Sequence, residues 1–197
     1  EGLVVTNAHV VEDCSSIKVL QHPHASVRLL AMDKDQDLAL LLMDDVIPDV
    51  VAMISRTTPR LGEPVVISGF PRPDLMGNEL QVHSGLVNLE SGALGDDAIF
   101  SITASIQAGN SGGPVFDKYG HVIGVVVAKL NETRMLAQNG ASLTNYNFAI
   151  RNDVLLRFLR PFRGINEPDE PSDEDEMDAQ EIAENSRSFT VQIECAP

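Results

Sequence analysis

Three short segments carry residue types that together could do nucleophilic chemistry. Gly109-Asn110-Ser111-Gly112-Gly113-Pro114 sets one serine among glycines, ahead of the strand-like run Val115-Phe116-Asp117. Thr6-Asn7-Ala8-His9-Val10-Val11 offers an imidazole, and Asp37-Leu38-Ala39-Leu40-Leu41 offers a carboxylate. A serine hydroxyl attacks poorly at neutral pH. It needs a base in reach, and the base needs a third group to fix its tautomer. Glycines give the serine loop backbone freedom, so that successive N–H groups can point into one space beside the hydroxyl. The same loop can then supply nucleophile and oxyanion donors, as attack on a carbonyl demands. Each segment alone reads as blandly as a turn or a core histidine. Together, in the order His, Asp, Ser, they match one of three known triad orders and exclude that of the α/β-hydrolases.

The elements that must hold these groups are strands. Short Val-, Leu- and Ile-rich runs bounded by Gly, Pro, Asn and Asp recur along the chain, the pattern of an all-β fold. The runs Ser16–Leu20, Ser26–Met32, Asp37–Met43, Pro64–Phe70, Glu79–Leu89, Ala98–Thr103 and His121–Lys129 read as strands. A helix is expected over Asn152–Phe162, capped by Asn152 or Asp153, with Val154, Leu155, Phe158 and Leu159 on one face. Pro48 and the stretch from Thr57 to Gly62 read as the link between two halves.

The three motifs, in this order and spacing, resemble the trypsin-like serine peptidases of the HtrA/Deg type, over roughly Gly2 to Phe162. His83-Ser84-Gly85-Leu86-Val87, His121-Val122-Ile123-Gly124-Val125 and Asn147-Phe148-Ala149-Ile150 resemble further stretches of that family. The resemblance implies a chymotrypsin/trypsin-like double β-barrel closed by a C-terminal helix, and a serine endopeptidase acting on polypeptides without a cofactor. It makes Ser111 the nucleophile, His9 the general base and Asp37 the orienting carboxylate. The oxyanion hole falls to Gly109, Asn110 and Ser111, through the N–H groups of Gly109 and Ser111. Asn110 stands where vertebrate digestive proteases carry the Asp that pairs with a new N-terminus, so activation by that ion pair is not expected. Counting back from the serine puts Ser105, with Gln107 after it, at the base of the specificity pocket. Gly124, Val125 and Val126 would form its wall, and the absence of a carboxylate points to a small or medium apolar P1 residue. The alternative, from another class, is a catalytically silent domain of the same fold that binds peptides or partners.

Length and charge bound the rest. The chain has 197 residues, enough for one two-barrel domain, and 43% of them are hydrophobic. Eight acids and no base lie between Glu167 and Asp178, within a net charge of −15, so that run reads as a solvated linker. Nucleic acid is an unsuited partner for so acidic a chain, and no apolar stretch is long enough to span a bilayer. His22 and His24 flank a proline without a third ligand, so no metal site is expected. The Asn131-Glu132-Thr133 sequon reads as chance in a bacterial protein. An extracytoplasmic location, periplasmic or secreted, suits the resemblance and a disulfide.

The domain plan is a peptidase domain over 1–163, an acidic linker over 164–178 and a helix–strand tail over 179–197. The resemblance places a first strand and a Gly-rich stretch before Gly2 that these residues do not contain, and no PDZ-like segment follows Phe162. Within the tail, Ala179–Ser186 reads as a helix and 189–195 as a strand in which Phe189, Val191 and Ile193 alternate. That pattern resembles the segment that opens the family's domain. The expectation is that the tail folds back, adds its strand to the first barrel and brings Cys195 near Cys14 for a disulfide.

Overall fold

The computed structural model describes residues 2–71, 75, 77–92, 95–127, 147–162 and 175–196. Near its N-terminus β1 (Gly2–Thr6) leads into the short helix α1 (Ala8–Val11). Three strands follow, β2 (Ser16–Val19), β3 (Val27–Asp33) and β4 (Leu38–Met43). β4 is central in the antiparallel sheet β1-β4-β3. All six of its residues are buried, because both of its faces are covered. Leu38 and Leu40 join a core that includes Phe116 and Leu155, whereas Ala39 and Leu41 pack with Val11. The period of two along a strand thus feeds two separate apolar clusters.

The second half is a closed barrel. Its strands are β5 (Pro64–Gly69), β6 (Gln81–Leu89), β7 (Ile99–Ile102), β8 (Pro114–Phe116), β9 (Val122–Val127) and β10 (Asn147–Arg151). They pair in the order β10-β7-β6-β5-β8-β9, with β9 and β10 closing the ring. Inside it Val65, Ile67, Phe100, Ile102, Val115, Ile123 and Val126 are each 1% exposed or less. Side chains therefore fill the barrel, as they do in six- to eight-stranded barrels generally. Gly124 is required there: a Cβ would come 2.6 Å from Phe100 and 2.7 Å from the Ile150 carbonyl. The fold is all-β, as the strand pattern implies, and of the trypsin-like class that the resemblance implies. The N-terminal half differs from a closed barrel among the described residues, since it comprises the three-stranded sheet and a separate two-stranded ribbon.

The link between the halves is tied to both. Ile54 bridges Val122, and Ser55 N–H donates to the Val122 carbonyl at 2.9 Å. The helix α2 (Asn152–Leu159) follows β10 and buries Val154, Leu155 and Leu159. Its expected cap is corrected: Arg151 is the N-cap and makes no side-chain cap bond. Asn152 is instead fully buried, and its amide donates to the Ser55 and Thr57 carbonyls at 2.6 and 2.8 Å. The local sequence offers Asn152 as a cap, but the Ser55 and Thr57 carbonyls of the link claim its amide. Helix α2 also stops at Leu159, short of Phe162.

The tail lies across both halves. Residues before α3 (Ala179–Ser186) follow the β8–β9 turn, where Met177 N–H donates to the Lys118 carbonyl at 2.8 Å and Lys118 pairs with Glu176. That carboxylate raises the Lys118 ammonium pKa above its ordinary value, through the side-chain hydrogen bond first and Tyr119 second. Asp178 caps α3 in a reciprocal capping box with Glu181. The strand β11 (Ile193–Ala196) pairs antiparallel with β2, Cys195 standing opposite Ile17. Cys14 and Cys195 are joined by a disulfide, with Cα atoms 5.3 Å apart. The strand is shorter than its alternation implies. Thr190 and Gln192 turn inward while Phe189, Val191 and Ile193 are half-buried, because Thr190 bonds to Ser68 at 3.0 Å and Phe189 meets Phe116 edge-on. The sequon, the end of the His121–Lys129 run and most of the acidic run lie outside the described residues.

Candidate functional site

His9 sits in α1, directly after β1. Its Nδ1 lies 2.7 Å from Asp37 Oδ2, and its backbone N–H donates to Asp37 Oδ1 at 2.9 Å. Both oxygens of the carboxylate therefore face one residue, which fixes the ring's orientation and leaves Nε2 as the acceptor nitrogen. The two side chains are about a quarter exposed, 26% and 27%, so the pair stands at a surface cleft rather than in the core. Asp37 has φ +52°, the left-handed region that side chains other than glycine seldom adopt.

Ser111 lies in the loop before β8. Gly109 and Gly112 have φ +101° and +82°, values that glycine adopts without strain. At Gly109 a Cβ would come 2.5 Å from the Phe70 carbonyl. At Gly112 it would overlap Thr6 Oγ1 and come 3.0 Å from Asn7 N. The missing side chain at Gly112 is what lets the serine loop of the second half close on the histidine segment of the first. The loop is braced by bonds from Asn110 N–H to the Gln107 carbonyl, Gly112 N–H to Val126 and Gly113 N–H to Asn110, each 3.0 Å. Asn110 itself is buried at 2% exposure, its side chain set against Gly69 of β5.

His9, Ser111, Gly109 and Gly112 line one cleft of about 780 Å³ between the halves, walled by apolar groups such as Phe70, Val125 and Phe189. Of the residues read as specificity determinants, Val125 lines this cleft. Ser105 and Gln107 are exposed, Gly124 packs inside the barrel, and Val126 contributes its backbone to the serine loop.

This geometry has a family. The model of the trypsin-like peptidase domain matches residues 1–125. The chain belongs to the trypsin-like peptidase domain family. That family spans the first half, the linker and the barrel through the serine loop to β9. Among its relatives, the uncharacterized protein y4bJ of Sinorhizobium fredii is 38% identical over 99% of this chain and 31% of its own length. The serine protease Do-like HtrA of Bacillus subtilis is 30% identical over 84% of this chain and 39% of its own length. The crystal structure of the serine endoprotease from Yersinia pestis superimposes with a TM-score of 0.63 at 25% identity, over 81% of this chain and 53% of that one. This chain thus spans only 31% and 39% of the lengths of these two curated relatives. Among the described residues no helix is long and apolar enough to cross a membrane.

Two residues of the site lie outside what the motifs disclose. Asn7, inside the histidine segment, is 0% exposed and donates from Nδ2 to the Asp37 carbonyl at 3.0 Å. Asp33 winds the approach to Asp37, its Oδ1 accepting from Asp35 and Gln36 N–H at 3.0 Å. Asp33 carries a detectable signal, because an Asp two or three residues before free N–H groups favours such a turn. Asn7 carries none, since its partner is thirty residues away in sequence.

Proposed function

We propose that this chain is the peptidase domain of a serine endopeptidase, hydrolysing polypeptides through an acyl-enzyme formed on Ser111. The observation that carries the reading is the 2.7 Å contact of His9 Nδ1 with Asp37 Oδ2 in a cleft that Ser111 also lines. Ser111 Oγ attacks the scissile carbonyl carbon as its proton passes to His9 Nε2, and Asp37 stabilises the imidazolium that forms. The tetrahedral oxyanion accepts hydrogen bonds from the N–H groups of Gly109 and Ser111. Asn110 N–H, engaged by the Gln107 carbonyl at 3.0 Å, braces that loop instead. Collapse of the intermediate expels the amine, which takes the proton from His9. Water, deprotonated by the same imidazole, then releases the acyl group. The apolar walls of the cleft suit an extended segment with small or medium apolar side chains. Several relatives carry the name periplasmic serine endoprotease DegP-like, among them that of Hahella chejuensis, so we place this domain in the bacterial periplasm or outside the cell.

A fluorophosphonate probe tests the reading. Labelling of the folded chain at Ser111, lost in Ser111→Ala together with peptide hydrolysis, is the expected result. A folded chain that takes no label yet binds unfolded polypeptide is the result that replaces an enzyme with a silent binding domain.

A further inference from the structure

We propose that Asn7 is a positioning residue of this triad, whose amide holds Asp37 in the left-handed backbone conformation from which the carboxylate meets His9. The inference rests on the triad reading above and adds a residue that never touches substrate. Asp37 is one of two non-glycine residues with positive φ among those described, and the other, Asp45, lies outside the cleft. A left-handed aspartate persists where its surroundings over-determine it. The chain before it is fixed by the Asp33 turn, and the chain after it enters β4 at the fully buried Leu38. Between those anchors the Asp37 carbonyl accepts two bonds, from Asn7 Nδ2 at 3.0 Å and from Ala8 N–H at 3.2 Å. The Asp37 carboxylate accepts two more, from His9 N–H and His9 Nδ1. Consecutive residues Asn7, Ala8 and His9 thus grip one aspartate at its backbone and at its side chain.

The chemistry at position 7 is specific. The donor must be short, neutral and buried, and it must reach a carbonyl from an extended backbone, here φ −78° and ψ 150°. Asparagine satisfies all four. A carboxylate there would set an acceptor against the Asp37 carbonyl, and an apolar side chain of equal bulk would fill the space without a bond. Asn7 also abuts the serine loop, since its backbone N stands 3.0 Å from where a Gly112 Cβ would lie. One residue therefore touches the acid's segment and the nucleophile's segment, and precedes the base by two positions.

The test uses the full chain with Asn7→Ala, which removes donor and bulk, and Asn7→Leu, which removes the donor alone. Each is compared with the parent and with Ser111→Ala for kcat and KM on a peptide substrate. The His9 Nδ1 proton resonance is recorded at low field. A misplaced triad costs on the order of 100-fold in kcat, so both variants should fall by about that factor with KM within about twofold. Both should lose or shift the low-field resonance. A parent-like kcat and resonance in either folded variant, with Ser111→Ala inactive, overturns the role of Asn7. Activity retained by Ser111→Ala overturns the triad reading itself, a distinct outcome. Should neither Asn7 variant fold, the parent still decides. A scalar coupling across the hydrogen bond from Asn7 Nδ2 to the Asp37 carbonyl carbon is expected, and its absence removes the proposal.

Discussion

Removing the Cys14–Cys195 bond should cost this domain a large share of its stability, and the structure sets the size and the place of the loss. The bond joins residues 181 apart in sequence. For a loop of that length, chain entropy alone puts the ceiling at about 5 kcal/mol at room temperature. Measured disulfides mostly fall below such ceilings, so the expected loss in Cys14→Ser/Cys195→Ser is about 2–4 kcal/mol. In a chain of this size that corresponds to a fall in Tm of about 4–16 °C. The loss should begin at β11, which has four paired residues against β2 and a further bond from Leu20 N–H to the Gln192 carbonyl at 3.0 Å. Helix α3 should outlast it, because Ile182 is 3% exposed and Phe189 packs on Phe116. The assay is thermal and urea unfolding of parent, reduced parent and double variant, with limited proteolysis mapped along the tail. Cleavage after Gln192 in the reduced state, ahead of any cut in α3, is expected. An unchanged Tm in a chain shown to carry two free thiols would refute the reasoning, since it would mean that the tail is held as firmly without the tether.

The other predictions concern the site, the barrel and the tail helix. Asp37→Asn should leave the fold in place and lower kcat by on the order of 10⁴-fold, read by steady-state kinetics, as loss of the orienting carboxylate does in a triad. Gly124→Ala should destabilise by about 1–3 kcal/mol in urea unfolding, because the new methyl overlaps Phe100 and the Ile150 carbonyl. Asp178→Ala should cost about 1 kcal/mol, read in the tail by amide hydrogen exchange, since it deletes a cap that accepts from Gln180 and Glu181 N–H.

What the sequence discloses follows the range of the forces involved. Strands are legible because alternation and turn residues act within a few positions. β4 and β5 fall within a residue of their apolar runs, and β9 begins one residue into its own. The tail helix is legible for the same reason, with its capping box written in Asp178 and Glu181. Asn152 misleads because its local option, capping, loses to two carbonyls nearly a hundred residues away. Phe189 to Ile193 mislead likewise: the alternation is present, but Ser68 and Phe116 select which face turns inward. The backbone state of Asp37 has no local signal beyond the Asp33 turn, for it is imposed by Asn7 and Ala8 from another strand's end.

The site is an agreement between two halves, and few atoms enforce it. Gly112 abuts Thr6 and Asn7, Asn152 ties α2 to the linker at Ser55, and Ile54 pairs with Val122. One apolar cluster includes Ile54 and Val122 and extends from Leu38 and Leu40 in β4 to Phe116 and Leu155. β4 begins at the residue after Asp37, so burial of its leucines fixes the position of Asp37. β8 begins three residues after Ser111, and Phe116 in the same cluster fixes the serine loop. The hydrophobic core is non-directional and can set these groups only to within the slack of packed side chains. The remaining precision must come from directional contacts, and those on the page are the bonds of Asn7, Ala8 and His9 to Asp37 and the close approach at Gly112. The tail presses on the same cluster through Ile182, Met177 and Phe189. It therefore supports the agreement from the wall of the cleft itself, which residues 188 to 193 help to line.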